Sequence, residues 1–133
     1  MTVVWAYPLF TLNQGDNMLP VDFLGKTVLA KIDRPLGSRH PKHKFLYLLN
    51  YGYIPSVMAP DGEELDAYIV GVFEPVNEFA GRCIAVIQGL DDQDDKLILA
   101  PPGTEYTDEQ ILSLTEFQER FFTPVVVREK PSL

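Results

Sequence analysis

Eleven prolines and nine glycines are spread along the 133 residues, and they cut the chain into segments too short for a helical bundle. Most segments between these breaks are rich in β-branched and aromatic residues, the pattern of short strands joined by turns. Residues 2–12 alternate in part, with Val3, Trp5 and Tyr7 on one side, and read as a strand. Residues 26–33 and 66–73 read as two more, the latter well buried. Residues 82–90 and 96–100 flank the polar run Asp91-Asp92-Gln93-Asp94-Asp95 and form a hairpin, and Val125-Val126-Val127 makes a last short strand. Residues 34–44, with Pro35, Gly37, Ser38 and Pro41, form a loop or irregular hairpin.

One stretch escapes the punctuation. Over residues 107–122, Ile111, Leu114, Phe117 and Phe121 recur at three- and four-residue spacing, so the spacing predicts an amphipathic helix. Thr107 with Gln110 fits a capping box, Asp108 and Glu109 suit the positive end of the helix dipole, and Pro124 ends the helix. The expected fold is mainly β: one domain over residues 1–133, a small closed barrel or curled sheet with one C-terminal helix packed on it.

Charge narrows the function classes. With 11 Lys and Arg against 19 Asp and Glu, the net charge is −8, wrong for a general nucleic-acid binder, which needs a positive field. The single Cys83 excludes an intramolecular disulfide and a Cys-based zinc cluster. No apolar run approaches membrane-spanning length and no signal-peptide pattern opens the chain, so the expected location is the cytoplasm, with no membrane partner.

The charges are also segregated. Residues 31–44 hold Lys31, Arg34, Arg39, Lys42 and Lys44, with His40 and His43, against the single acid Asp33. Residues 61–66 hold Asp61, Glu63, Glu64 and Asp66, and residues 91–95 hold Asp91, Asp92, Asp94 and Asp95, followed by Lys96. Each run taken singly reads as a solvated face or a hairpin tip. Taken together, two acidic loops and one basic loop are what metal-assisted phosphate hydrolysis requires: carboxylates for a hard cation, Arg and Lys for phosphoryl oxygens. The His40–His43 pair lacks further nitrogen or sulfur ligands and reads as exposed loop. Gly25-Lys26-Thr27 lacks the earlier glycine of a phosphate-binding loop. Asn50-Tyr51-Gly52-Tyr53, by itself, reads as aromatic packing around a tight turn. Phe117, Phe121, Phe122 and Cys83 read as core.

The segment Tyr47-Leu48-Leu49-Asn50-Tyr51-Gly52-Tyr53-Ile54-Pro55, then Asp61-Gly62-Glu63-Glu64-Leu65-Asp66, then Asp94-Asp95-Lys96 resembles, in order and spacing, the signature region of the soluble family I inorganic pyrophosphatases. The resemblance implies a five-stranded, OB-like barrel binding Mg2+ and pyrophosphate at its mouth, in a homo-oligomer. It implies Asp61, Asp66, Asp91, Asp92 and Asp94 as metal ligands, and Glu63 as the base for the attacking water. It implies Tyr51, Arg39 and Lys96 as phosphate contacts, with Arg34 competing for the role of Arg39. Departures accompany it. Glu63 stands where the family has an Asp, Leu29 and Lys31 where it has a Lys and a Glu, and Phe121 and Phe122 where it has a Tyr-Lys pair. These departures leave open a related diphosphate as substrate, or a metal- and phosphate-binding module without turnover.

Overall fold

The computed structural model describes residues 19–59, 62–90 and 94–130. The strand expected over residues 2–12, with Trp5, lies outside them. A 3-10 turn at Pro20–Phe23 leads into β1 (Thr27–Arg34), β2 (Asn50–Met58), β3 (Glu64–Ile69), β4 (Glu78–Gly89) and β5 (Lys96–Ala100), then α1 (Asp108–Glu119) and β6 (Pro124–Val127). The strand order is β1-β2-β3-β5-β4-β6, and an additional β1–β4 pairing closes the first five into a barrel. Twelve-residue β4 is what allows closure: it pairs with β1 through residues 78–82, with β5 through 82–87, and with β6 through 86–89. The barrel with a single helix is the expected fold class.

Strand alternation separates two apolar layers. Val28, Ala30, Leu65, Ala67, Ile69, Leu97 and Leu99 fill the barrel interior. Their neighbours Tyr51, Tyr68, Val70, Ile98 and Ala100 face outward and pack against Ile111 and Phe117 of α1. β5 is therefore buried on both faces, and all five of its residues, Lys96 included, are inaccessible.

The helix begins as the capping box requires: Thr107 Oγ1 accepts from the Gln110 N–H at 3.1 Å, and Gln110 Oε1 accepts from the Thr107 N–H at 2.8 Å. It ends at Glu119, before the expected Phe122. Ile111 and Phe117 are buried, but Phe121 lies past the helix end and is 54% exposed, and Phe122 is half-buried, so the expected three-Phe core reduces to Phe117. The reason is that Thr115, Gln118 and Glu119 occupy the buried face, their polar atoms satisfied from within.

The Asn50-Tyr51-Gly52-Tyr53 segment is the start of β2 and not a tight turn. Gly52 is required by close approach: a Cβ there would lie 1.8 Å from the Lys31 carbonyl oxygen. The buried strand expected over residues 66–73 is shifted to Glu64–Ile69, and Gly71, at φ +80°, turns the chain away. Residues 35–46 form the irregular hairpin, with a bridge between Arg39 and Leu46. Cys83 is buried, and burial pushes its thiol up to about 12, so it is packing and not a nucleophile.

Candidate active site

The outward face of β2, β3 and β5, where the end of α1 crosses it, collects the polar groups. β2 and β3 run antiparallel with Tyr51 opposite Tyr68, and β3 and β5 run parallel with Asp66 beside Lys96. This register sets Tyr51, Asp66 and Lys96 on neighbouring strands. The Tyr51 hydroxyl donates to Asp66 Oδ2 at 2.7 Å. Asp94, just ahead of β5, holds Lys96 Nζ at 3.2 Å.

Asp66 is pushed up to about 6. Burial is the largest cause, the hydrogen bond from Tyr51 opposes it, and the carboxylates of Asp94 and then Asp33 add to it against the pull of Lys96. The phenols are likewise pushed away from ionisation. Burial and the charge of Asp66 hold Tyr51 well above its usual range, and burial takes Tyr47 up to about 12. Both remain donors at neutral pH. Burial alone would lower Lys96, but Glu119 and then Asp94 outweigh it and hold the ammonium charged.

A chain of buried hydrogen bonds backs these groups. The Tyr47 hydroxyl donates to Gln118 Oε1 at 2.5 Å, Gln118 Nε2 donates to the Tyr68 hydroxyl at 2.7 Å, and Tyr68 donates to Glu119 Oε2 at 2.6 Å. Lys96 Nζ donates to the same oxygen at 2.9 Å. Gln118, Glu119 and Tyr68 are not among the expected site residues. Their signal in the sequence is Gln118 itself: it stands seven residues after Ile111, where the apolar stripe should continue, and a polar residue there needs a buried partner.

The expected site residues therefore divide. Tyr51, Asp66, Asp94 and Lys96 come together. Glu63 is exposed in the turn before β3, its carbonyl accepting from the Ala59 N–H. Arg39 is exposed, and its guanidinium donates to the Lys44 carbonyl of its own loop at 3.0 Å. Arg34 stands opposite Tyr51 in the β1–β2 register, and its guanidinium donates to the Asp33 carbonyl at 3.1 Å. Asp61, Asp91 and Asp92 lie outside the described residues. Lys31, at the position where the resemblance leads one to expect an acid, is exposed and paired with Glu78 at 2.5 Å. Among the described residues no group of three His, Cys, Asp or Glu side chains stands ready to hold a metal ion. Nor, among them, is any helix long and apolar enough to cross a membrane.

A site of this kind joins an aspartate of raised pKa, a second aspartate near it, a phenol donor and a buried lysine on one outer face of a small barrel. Solved structures with the same fold include several described as inorganic pyrophosphatases. The chain is similar to an inorganic pyrophosphatase from Neisseria gonorrhoeae at 23% identity and TM-score 0.57, over 80% of this chain and 76% of that one. It is similar to one from Ehrlichia chaffeensis at 20% and 0.59, over 82% and 89%. One from Thermus thermophilus matches at 18% and 0.55, over 90% and 88%. At such identities the likeness establishes the fold. No curated protein sequence matches the chain. The family follows from sequence: residues 27–126 match the Pyrophosphatase family, described as inorganic pyrophosphatase. That match runs from the start of β1 into β6 and contains every described site residue, so the chain belongs to the inorganic pyrophosphatase family of hydrolase enzymes.

Proposed function

We propose that the chain hydrolyses inorganic pyrophosphate, or a related diphosphate, to two phosphates with Mg2+. The observation that carries this reading is the pairing of Asp66 with Tyr51, beside Asp94 and Lys96. The donor chemistry fits the metal: carboxylate oxygens are the ligands Mg2+ prefers, and two neighbouring carboxylates, one pushed up to about 6, are relieved by a cation between them. Asp66 and Asp94 would hold it, with Asp61, Asp91 and Asp92 as further ligands on the strength of the family motif. When bound, Mg2+ neutralises phosphoryl oxygens and lowers the pKa of coordinated water.

The chain's own residues supply the rest. Tyr51 fixes the orientation of Asp66. Glu63 takes the proton of the attacking water, whose oxygen bonds to one phosphorus as the bridging P–O bond breaks. An arginine steadies the departing phosphate. Arg34 suits that task better than Arg39, since it stands opposite Tyr51 in the β1–β2 register while Arg39 lies exposed in the 35–46 hairpin. Arg34→Ala is expected to raise KM for pyrophosphate about tenfold, and Arg39→Ala less than threefold, in steady-state kinetics. The opposite ranking would return the role to Arg39.

Phosphate release from pyrophosphate, with Mg2+ and then with excess chelator, tests the whole reading. Turnover that stops on chelation and returns with Mg2+ supports it, and no release under any condition overturns it. A second reading, a binding module without turnover, draws on Lys96, which is 2% exposed and already holds two carboxylates. Binding of Mg2+ and phosphate with no hydrolysis would select it. The proposed setting is a cytoplasmic homo-oligomer of this chain, binding a small phosphate compound and neither nucleic acid nor membrane. The net charge of −8 supports the exclusion of nucleic acid.

A further inference from the structure

Glu119 ends α1 with its side chain 2% exposed. A carboxylate taken so far from water costs several kcal/mol unless it is both paired and hydrogen-bonded. Both conditions hold here. Its Oε2 accepts from Lys96 Nζ at 2.9 Å and from the Tyr68 hydroxyl at 2.6 Å. Tyr68 is fixed by Gln118 Nε2, and Gln118 by the Tyr47 hydroxyl, so the helix end is tied to the barrel at two tyrosines. Lys96 is equally buried, and its ammonium lies against Glu119, Asp94 at 3.2 Å, and the ring of Phe122 with its centroid at 4.5 Å. The shorter contact is the one to Glu119.

We infer that Glu119 is a positioning residue for the cation site, drawing Lys96 toward itself so that Asp94 is only partly neutralised and keeps charge for a divalent ion. This rests on the metal-site reading proposed above. An ammonium shared between two carboxylates leaves the trio with one net negative charge. If Glu119 is made neutral, that charge is lost and Lys96 pairs with Asp94 alone. Asp94 then becomes a poorer oxygen donor, although no atom next to the cation has been changed.

The test uses the full chain, freed of metal, as wild type, Glu119→Gln and the double variant Lys96→Met with Glu119→Gln. The Glu119→Gln side chain keeps the shape, and its amide oxygen can still accept from Tyr68. The double variant leaves no unpaired buried charge, so it avoids the cost of Lys96→Met alone. Mn2+ is titrated by calorimetry, and circular dichroism checks the fold. Glu119→Gln is expected to weaken Mn2+ binding roughly tenfold, and the double variant is expected to regain at least wild-type affinity. A purely structural role for Glu119 would leave the double variant no better than the single one, which would overturn the inference. So would wild-type affinity in a folded Glu119→Gln protein. If the wild type binds no Mn2+, the metal-site reading falls, and the Lys96 ammonium resonance in 15N NMR decides the clamp separately. That signal is expected to be protected from exchange in the wild type and shifted in Glu119→Gln. An unchanged signal overturns the clamp.

Discussion

Asp66→Asn is expected to lower phosphate release from pyrophosphate by about two to four orders of magnitude, the range over which a single positioned acid–base or ligand group acts. Asparagine keeps the shape and can still accept from Tyr51, so the hydrogen bond at 2.7 Å survives and only the charge is removed. Glu63→Gln is expected to cost less, because Glu63 is exposed in a turn and not fixed on a strand. Equal small losses in both variants would count against the assignment.

The same substitution carries a stability signature of opposite sign. Burial and the neighbouring carboxylates raise Asp66 to about 6 from the unfolded value of 3.8, so the folded state binds the proton more tightly than the unfolded state does. Stability from this group is fully present below the unfolded pKa and is lost as pH rises through about 6. Metal-free Asp66→Asn is therefore expected to melt above the wild type at pH 7 to 8, with the gap shrinking as pH falls from about 6 toward 4. Thermal melts in chelator across that window check it, and a variant that melts below the wild type at every pH would mean that Asp66 is not buried beside like charges. In the wild type with Mg2+ the rate should also fall with acid, at a pH below the metal-free value of about 6, since the cation competes with the proton for the carboxylate.

What the sequence made legible follows from where its signals were local. The helix start was written in Thr107 and Gln110, and β1, β5 and β6 in their short apolar runs, whereas β2 was read as a turn because Gly52 and Pro55 lie inside it. Of the acids at 61–66 and 91–95, Asp66 and Asp94 stand at the described cluster, beside Tyr51 and Lys96. What was illegible depends on pairing across the barrel. That Lys96 would stand beside Asp66 is a matter of β3–β5 register, and that Glu119 would reach Lys96 depends on how α1 crosses the outer face. The apolar stripe carried the helix on to Phe121 because periodicity rewards hydrophobic residues, whereas the fold spent that face on Gln118 and Glu119. Arg34 closes β1 opposite Tyr51 while Arg39 falls in the hairpin beyond it, a difference set by where β1 ends and its pairing with β2.

Gly52→Ala is expected to do the largest damage to the fold itself. β1 and β2 meet at Ile32 and Gly52, just before a bulge that sets Arg34 opposite Tyr51. A Cβ at position 52 would lie 1.8 Å from the Lys31 carbonyl oxygen, 2.7 Å from its carbon and 2.8 Å from Ile32 Cα. All three are backbone atoms of a neighbouring strand, so no rotamer change relieves the contact and the strands must part. Parting them opens the barrel at the seam that carries Tyr51, so the Tyr51–Asp66 hydrogen bond goes with the stability. A loss of about 4 kcal/mol or more is expected, a large share of what a domain of this size possesses. In melting temperature that is a fall of about 10 °C or more, or failure to accumulate as folded protein. Gly103→Ala is the control. Gly103 also needs a special backbone, at φ +76°, but a Cβ there meets nothing within 4 Å, so only backbone strain of about 1 kcal/mol is expected. If Gly52→Ala melted as close to the wild type as Gly103→Ala does, the two strands could not lie as near as the barrel requires, and Tyr51 would lose the support that sets it against Asp66.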